Sequence, residues 1–219
     1  MKIVIAGAGE VGTHLAKMLS QENQDIILMD PNEERLKFTN NMEVLAMVGN
    51  PTSLKDLQES GIKDADLFIS VTPEEPTNIT ACMLAHSLGA HKTLARINNY
   101  EYLQPKNIEF FQKLGISSMI YPEMLAAREI VTAVQRPWAR QYWELFGGAL
   151  ILIGVKVRDN APIVNKRLTD LSLDQKLYHI VAIKRCNETI IPRGTDHIAS
   201  GDIVFFTTTR EHVKEVQIQ

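Results

Sequence analysis

Ile3-Val4-Ile5-Ala6-Gly7-Ala8-Gly9-Glu10-Val11-Gly12 is the stretch whose reading decides the fold. An apolar run ends in Gly-x-Gly-x-x-Gly and opens directly into an amphipathic segment, Val11 to Leu19. A second apolar run, Asp25-Ile26-Ile27-Leu28-Met29, delivers Asp30, eighteen residues after Gly12. Strand, glycine turn, helix, strand and acid follow one another in the order and spacing of a dinucleotide site. Gly7 permits the tight turn, Gly9 lets the backbone approach a pyrophosphate with no Cβ in the way, and Gly12 lets the helix pack against the first strand. Ala8, Glu10 and Val11 fill the variable positions, and Glu10 is expected to point into solvent. The unpaired N–H groups and positive dipole end of the helix are expected to face the phosphates. Asp30 is expected to accept hydrogen bonds from the adenosine ribose and to repel a 2′-phosphate, which favours NAD(H) over NADP(H).

The rhythm continues outward from that unit. Pro31 or Asn32 begins a helix running through Leu36 and Phe38 to about Met42, with Glu33 and Glu34 at its positive end. Val44–Val48 reads as a third strand. Thr52 or Ser53 caps the next helix, which stops at Gly61. Leu67–Val71 is a fourth strand, apolar almost throughout as befits a strand covered on both faces. Helices from about Thr77 to Leu88 and from Asn107 to Leu114 alternate with strands at Lys92–Ile97 and Ser118–Tyr121. Alternation of this kind implies a Rossmann-like, doubly wound parallel sheet.

At Pro122 the pattern changes. Glu123–Gln135 reads as a bridging helix striped by Leu125, Ile130, Val131 and Val134. Trp138, Tyr142, Trp143 and Phe146 then crowd together, as a core seam or, slightly favoured, as an assembly surface. Beyond Gly147-Gly148 the chain becomes strand-rich, at Ala149–Val157, Ile180–Lys184, Thr189–Ile191 and Ile203–Thr207. Short helices are expected at Leu168–Leu173 and Arg210–Val216. The expected organisation is a nucleotide-binding domain with its bridging helix at 1–136 and a small α+β domain at 137–219.

Composition narrows the function. The 219 residues carry a net charge of −3 and 45% hydrophobic content, with no basic excess to neutralise nucleic-acid phosphates. The longest apolar runs are too short to span a bilayer, and the expectation is that the N-terminus enters a strand at once, with no signal peptide. Cys82 and Cys186 stand far apart and read as buried or neutral thiols in a reducing compartment. The expectation is a soluble cytoplasmic protein. The six histidines are scattered, with no triad or metal spacing, so no residue is assigned to catalysis or metal binding.

Other motifs carry a family resemblance. Val48-Gly49-Asn50-Pro51-Thr52-Ser53-Leu54, Val71-Thr72 with Glu75, Thr77-Asn78 and Cys82, Leu94-Ala95-Arg96-Ile97, and Tyr121-Pro122-Glu123 with Ala126-Ala127 closely resemble the TrkA-type potassium-transport regulatory subunits. These are built from domains that regulate potassium conductance, the RCK or KTN domains. Ile191-Pro192-Arg193-Gly194 and Ile198–Asp202 resemble the end of a TrkA C-terminal (RCK-C) domain. The resemblance implies a subunit that binds NAD(H), ATP, ADP or AMP and gates a membrane potassium channel of the TrkH type. It also implies a homo-dimer or tetramer, peripheral to the inner face of the membrane through that partner. By position it implies that Gly7, Gly9 and Gly12 cradle phosphates, Asp30 holds the ribose, and Asn50 sits at the adenine pocket with Leu54 as an apolar wall. Thr72 falls on the ligand-binding edge of the sheet, and Arg96 matches the family's phosphate-contacting arginine. TrkA proteins usually carry two such units in tandem, whereas one is read here; the expectation is half of a longer protein or a single-unit relative.

Bland readings compete with several of these. Arg96 can be a strand-end arginine paired to a carboxylate. Asn78 contacts phosphates or caps its helix, with little to choose between them. Glu74-Glu75 reads as a solvated loop before it reads as a divalent-ion site. The alternative function is an NAD-dependent oxidoreductase, which needs an acid–base residue facing the nicotinamide.

Overall fold

The computed structural model describes residues 1–39, 42–170 and 178–214. Its contacts divide the chain into two units, Met1–Ala126 and Ala127–Gln219. No helix among the described residues is long and apolar enough to cross a membrane.

The first unit is a six-stranded parallel sheet. Its strands are β1 (Lys2–Ala6), β2 (Asp25–Asp30), β3 (Leu45–Val48), β4 (Leu67–Ser70), β5 (Lys92–Arg96) and β6 (Ser118–Ile120), in the order β3-β2-β1-β4-β5-β6. The intervening helices are α1 (Glu10–Ser20), α2 (Glu33–Leu36), α3 (Leu54–Glu59), α4 (Glu75–Ser87) and α5 (Pro105–Lys113); α6 (Pro122–Gln135) follows β6. Successive side chains of β1 enter opposite cores. Val4 joins Phe68, Ala81 and Ala85, whereas Ile3 and Ile5 join Ala16, Leu28 and Ile69. Burial on both faces explains why the strand is apolar from Ile3 to Ala6. Each fully buried Val, Ile or Phe stabilises the sheet by about 1.5–3 kcal/mol relative to exposure. The strand order reverses between β1 and β4, so the loops after those two strands diverge and leave a crevice at their carboxyl ends.

Three helix boundaries differ from expectation. The second helix is a single turn, α2, with Asn32 as its cap accepting from Glu34 N, continued by a tighter 3₁₀ turn, Lys37–Thr39. Thr39 Oγ1 donates to Leu36 O at 2.7 Å, a local bond that competes with the helical ladder. Of the rest of the expected helix, 40–41 lie outside the described residues and Met42 is in a bend. Helices α4 and α5 each begin two residues early, because Pro76 and Pro105 sit in first turns, where a missing N–H costs nothing.

The second unit is an antiparallel sheet of β7 (Gln141–Leu145), β8 (Leu150–Lys156), β9 (Tyr178–Arg185), β10 (Glu188–Ile190) and β11 (Ile203–Thr208), in the order β10-β9-β11-β8-β7. Its core is built on Ile151, Ile153 and Phe206 at one place and on Ile183, Ile198 and Val204 at another. β7 is an additional strand that absorbs two of the four clustered aromatics, as the β preference of Tyr142 and Trp143 allows. Trp138 and Tyr142 pack on the Ile151–Ile153 core, Trp143 stacks on Phe205, and Phe146 is 85% exposed. The cluster is therefore partly core and partly surface. Leu168–Asp170 forms a 3₁₀ turn, and 171–173 of the expected helix lie outside the described residues. Of the expected terminal helix, Arg210 to His212 form a turn, Val213 and Lys214 are helical, and 215–216 lie outside them.

One ion pair fixes the β9–β11 corner. Arg185 donates from Nε to Asp202 Oδ1 (3.0 Å) and from Nη2 to Asp202 Oδ2 (2.8 Å), and Ala199 N also donates to that carboxylate. The Arg185 hydrogen bonds hold the Asp202 carboxyl below the ordinary carboxylate range despite its burial. A carboxylate with a lowered folded pKa stabilises the fold fully above its unfolded value of about 3.9, and that contribution is lost as pH falls through the folded value. Both tryptophans lie in this unit. Their fluorescence is expected to report an acid transition below about pH 4 that Asp202→Asn brings to higher pH; coincident transitions would contradict the assignment.

Candidate functional site

The glycine turn joins β1 to α1, and each glycine has a separate reason. Gly7 adopts φ +103°, and a Cβ there would lie 2.9 Å from Thr72 N. A Cβ on Gly12 would lie 1.8 Å from the Gly7 carbonyl oxygen. These two are demanded by the chain itself. Gly9 is different: its φ of −77° suits any residue, and a Cβ would meet nothing within 4 Å. What Gly9 preserves is open space outside the turn. Gly9 is also the N-cap of α1, and no side chain caps the helix, so its first-turn amides lack a side-chain acceptor.

Asp30 has a structural task that its spacing did not reveal. Its residue is 2% exposed; Ala8 N donates to Oδ2 and Asn32 N to Oδ1, both at 2.8 Å. The carboxylate thus braces the glycine turn against the start of α2. The Ala8 amide is accordingly directed at Asp30, not outward. Arg35 Nη1 stands 3.7 Å from Asp30 Oδ2. Sequence reasoning passed over Arg35, although an arginine in the helix just after Asp30 was a readable signal.

The opposite flank is organised by Asn78, which is 1% exposed. Its Oδ1 accepts from Ser70 Oγ (2.9 Å), Thr72 N (2.9 Å) and Thr72 Oγ1 (2.8 Å). Its Nδ2 donates to Thr72 O (3.0 Å) and Arg96 O (2.9 Å). Asn78 lies inside α4, whose N-cap is Glu74, and both its amide hydrogens are used within the chain. It is a clamp tying the end of β4 to the end of β5. Glu75 does similar work, because its Oε2 accepts from Asn98 N and Asn99 N just after Arg96. Glu74 Oε2 accepts from Thr77 Oγ1 at 3.0 Å. Both carboxylates thus have partners within the chain.

Arg96 Nη2 donates to Glu123 Oε1 on the first turn of α6. The carboxylate-paired reading of Arg96 is realised, and the residue also lines the crevice. Gly9, Glu10, Val11, Arg96 and Glu123 together line a cleft of about 420 Å³, with Val71 among its apolar walls. Glu10 is exposed, as expected. Asn50 and Leu54 stand apart, after β3. Asn50 Oδ1 accepts from Thr52 N and Thr52 Oγ1, and Leu54 is 53% exposed. They lie on the same carboxyl edge as Asp30, to which they are tied by the bond from Gly49 N to Asp30 O. Cys82 is buried, which pushes its thiol up to about 12, and Cys186 is exposed. A parallel-sheet switch point, an uncapped helix start and an arginine on one cleft suit a phosphate-bearing ligand.

Comparison with known proteins agrees with this geometry. The TrkA-N domain model matches residues 3–122 and the TrkA-C domain model residues 152–217. The chain is 34% identical to the Trk system potassium uptake protein TrkA of Halomonas elongata, over 99% of this chain and 48% of that one. It is 32% identical to the TrkA homolog of Archaeoglobus fulgidus, over 98% of this chain and 48% of the relative. The chain thus spans about half the length of the curated relatives it matches. Among solved structures, the GsuK channel is similar with a TM-score of 0.67 at 16% identity, over 99% of this chain and 38% of that one. The GsuK channel bound to NAD is similar with a TM-score of 0.61 at 15% identity, over 97% of this chain and 38% of the other. These structural likenesses are likenesses of fold.

Proposed function

The chain belongs to the TrkA family, and from that premise we propose that it is a nucleotide-responsive regulatory unit of a potassium uptake system. The ligand is an adenine nucleotide, NAD(H) or ATP, ADP or AMP. Its phosphates lie over Gly9 and the start of α1, its ribose reaches the remaining lone pairs of Asp30, and its adenine lies toward Asn50 and Leu54. The observation that carries this reading is Gly9, whose open Cβ direction no internal contact explains and which close approach of a ligand does. Arg96 on the same cleft supplies the positive charge.

Nucleotide occupancy then works by differential affinity. A nucleotide that favours one arrangement of paired copies over another shifts their equilibrium and, with it, a TrkH-type membrane partner. The unit acts in the cytoplasm, at the inner face of the membrane, as a homo-oligomer. The site senses and does not catalyse. Titrating ADP and NADH into the purified protein by calorimetry, with absorbance at 340 nm followed in parallel, tests both halves. Saturable binding without loss of NADH is the expected result. Consumption of NADH with hydroxy acids or aldehydes would establish the oxidoreductase instead.

A further inference from the structure

The cleft holds an anion of its own. Glu10, Arg96 and Glu123 are its charged lining residues, so the one guanidinium is outnumbered by carboxylates. Arg96 is rigidly rooted. Its carbonyl accepts from Asn78 Nδ2, and its side chain is 20% exposed. Only one edge of the fork is satisfied. Nη2 meets Glu123, whereas Nε is buried and has no hydrogen-bond partner among the described residues. A guanidinium presents Nε and an Nη as a parallel pair suited to two oxygens of one phosphate. The carboxylate that occupies Arg96 leaves half of that pair unused.

Resting on the nucleotide reading above, we infer that Glu123 sets the affinity of this cleft by competing intramolecularly with ligand phosphate for Arg96. A phosphate that engages both Nε and Nη2 outbids a carboxylate bound through one oxygen. The displaced Glu123 is readily accommodated. Its side chain is already 53% exposed, and it sits on the first turn of α6, where the helix dipole favours a negative charge. The competition acts only on ligands whose phosphates reach Arg96. Glu123 is therefore a specificity residue: it penalises arginine-dependent ligands and leaves the others alone.

The test is a double-mutant cycle on the full chain, with ADP as the probe and divalent cations removed by EDTA. Affinities of wild type, E123Q, R96Q and the double variant are measured by calorimetry, and circular dichroism melts verify folding. E123Q is expected to bind ADP about three- to fivefold more tightly, the range that release of a partly exposed ion pair allows. In the R96Q background the same change is expected to have no effect. Unchanged or weaker binding by E123Q overturns the inference while leaving the nucleotide reading intact. So does equal tightening in the R96Q background, which would mark Glu123 as a general repulsive charge. No ADP binding by wild type or any variant overturns the nucleotide reading itself.

Discussion

Gly12→Ala is expected to destabilise the first unit by at least about 3 kcal/mol, although it adds a single methyl group. The added Cβ would lie 1.8 Å from the Gly7 carbonyl oxygen and 3.0 Å from the carbonyl carbon. Both atoms are backbone, so no side chain can swing away. Nor can the turn retreat, because Gly7 is itself held against the Thr72 and Val71 backbone. The strain must move α1 off β1 or distort the turn, and either breaks the packing of Ala16 and Ile5. Urea unfolding followed by far-ultraviolet circular dichroism measures the loss. Tryptophan fluorescence reports the other unit, since Trp138 and Trp143 both lie in Ala127–Gln219. A variant that unfolds at the wild-type urea concentration would contradict the close helix–strand contact.

Asn78→Leu is expected to cost about 3 kcal/mol or more, with a second consequence at the site. Leucine keeps the branching and heavy-atom count of asparagine, but its methyl groups are bulkier and it leaves Thr72 N, Thr72 O and Arg96 O without the partners that Asn78 supplies. Stranding a buried backbone polar group costs about 1–3 kcal/mol each, so the sum exceeds what the apolar side chain regains. Asn78→Asp separates the two halves of the clamp. It keeps the acceptor for Thr72 N and Oγ1 but removes the donor to Thr72 O and Arg96 O, and a carboxylate there faces those carbonyl oxygens. Its melting temperature is expected to fall between those of wild type and Asn78→Leu. Equal stability of all three would mean the clamp does not hold β4 to β5.

Much of this was legible in the sequence because the signals are local. The glycine turn, the alternation of strand and helix, the Ser53 cap and the stop at Gly61 depend on residues a few positions apart. The parallel, doubly wound sheet follows from the same pattern, since strands alternating with helices are joined by right-handed crossovers. What escaped depends on tertiary contacts between distant residues. Arg96 and Glu123 meet across 27 positions, and Asn78 reaches Arg96 across 18. Nothing in either local pattern selects the partner. Asp30 stood at the right distance for a ribose, yet its bonds to Ala8 N and Asn32 N appear only once β1 and β2 lie side by side. β7 was hidden for another reason: its aromatic residues fit a strand, a core seam and an interface equally well by composition.

Gly9→Leu puts the central claim to its most direct trial, because Gly9 serves the ligand where Gly12 serves the fold. The φ of −77° at this position is open to leucine, and beyond the adjoining residues no described atom lies within 4 Å of the new Cβ. Its melting temperature should match wild type, while calorimetric titration with ADP and NADH should show at least a hundredfold loss of affinity, about 2.7 kcal/mol. Wild-type affinity in a folded Gly9→Leu protein would contradict the placement of the nucleotide over this turn.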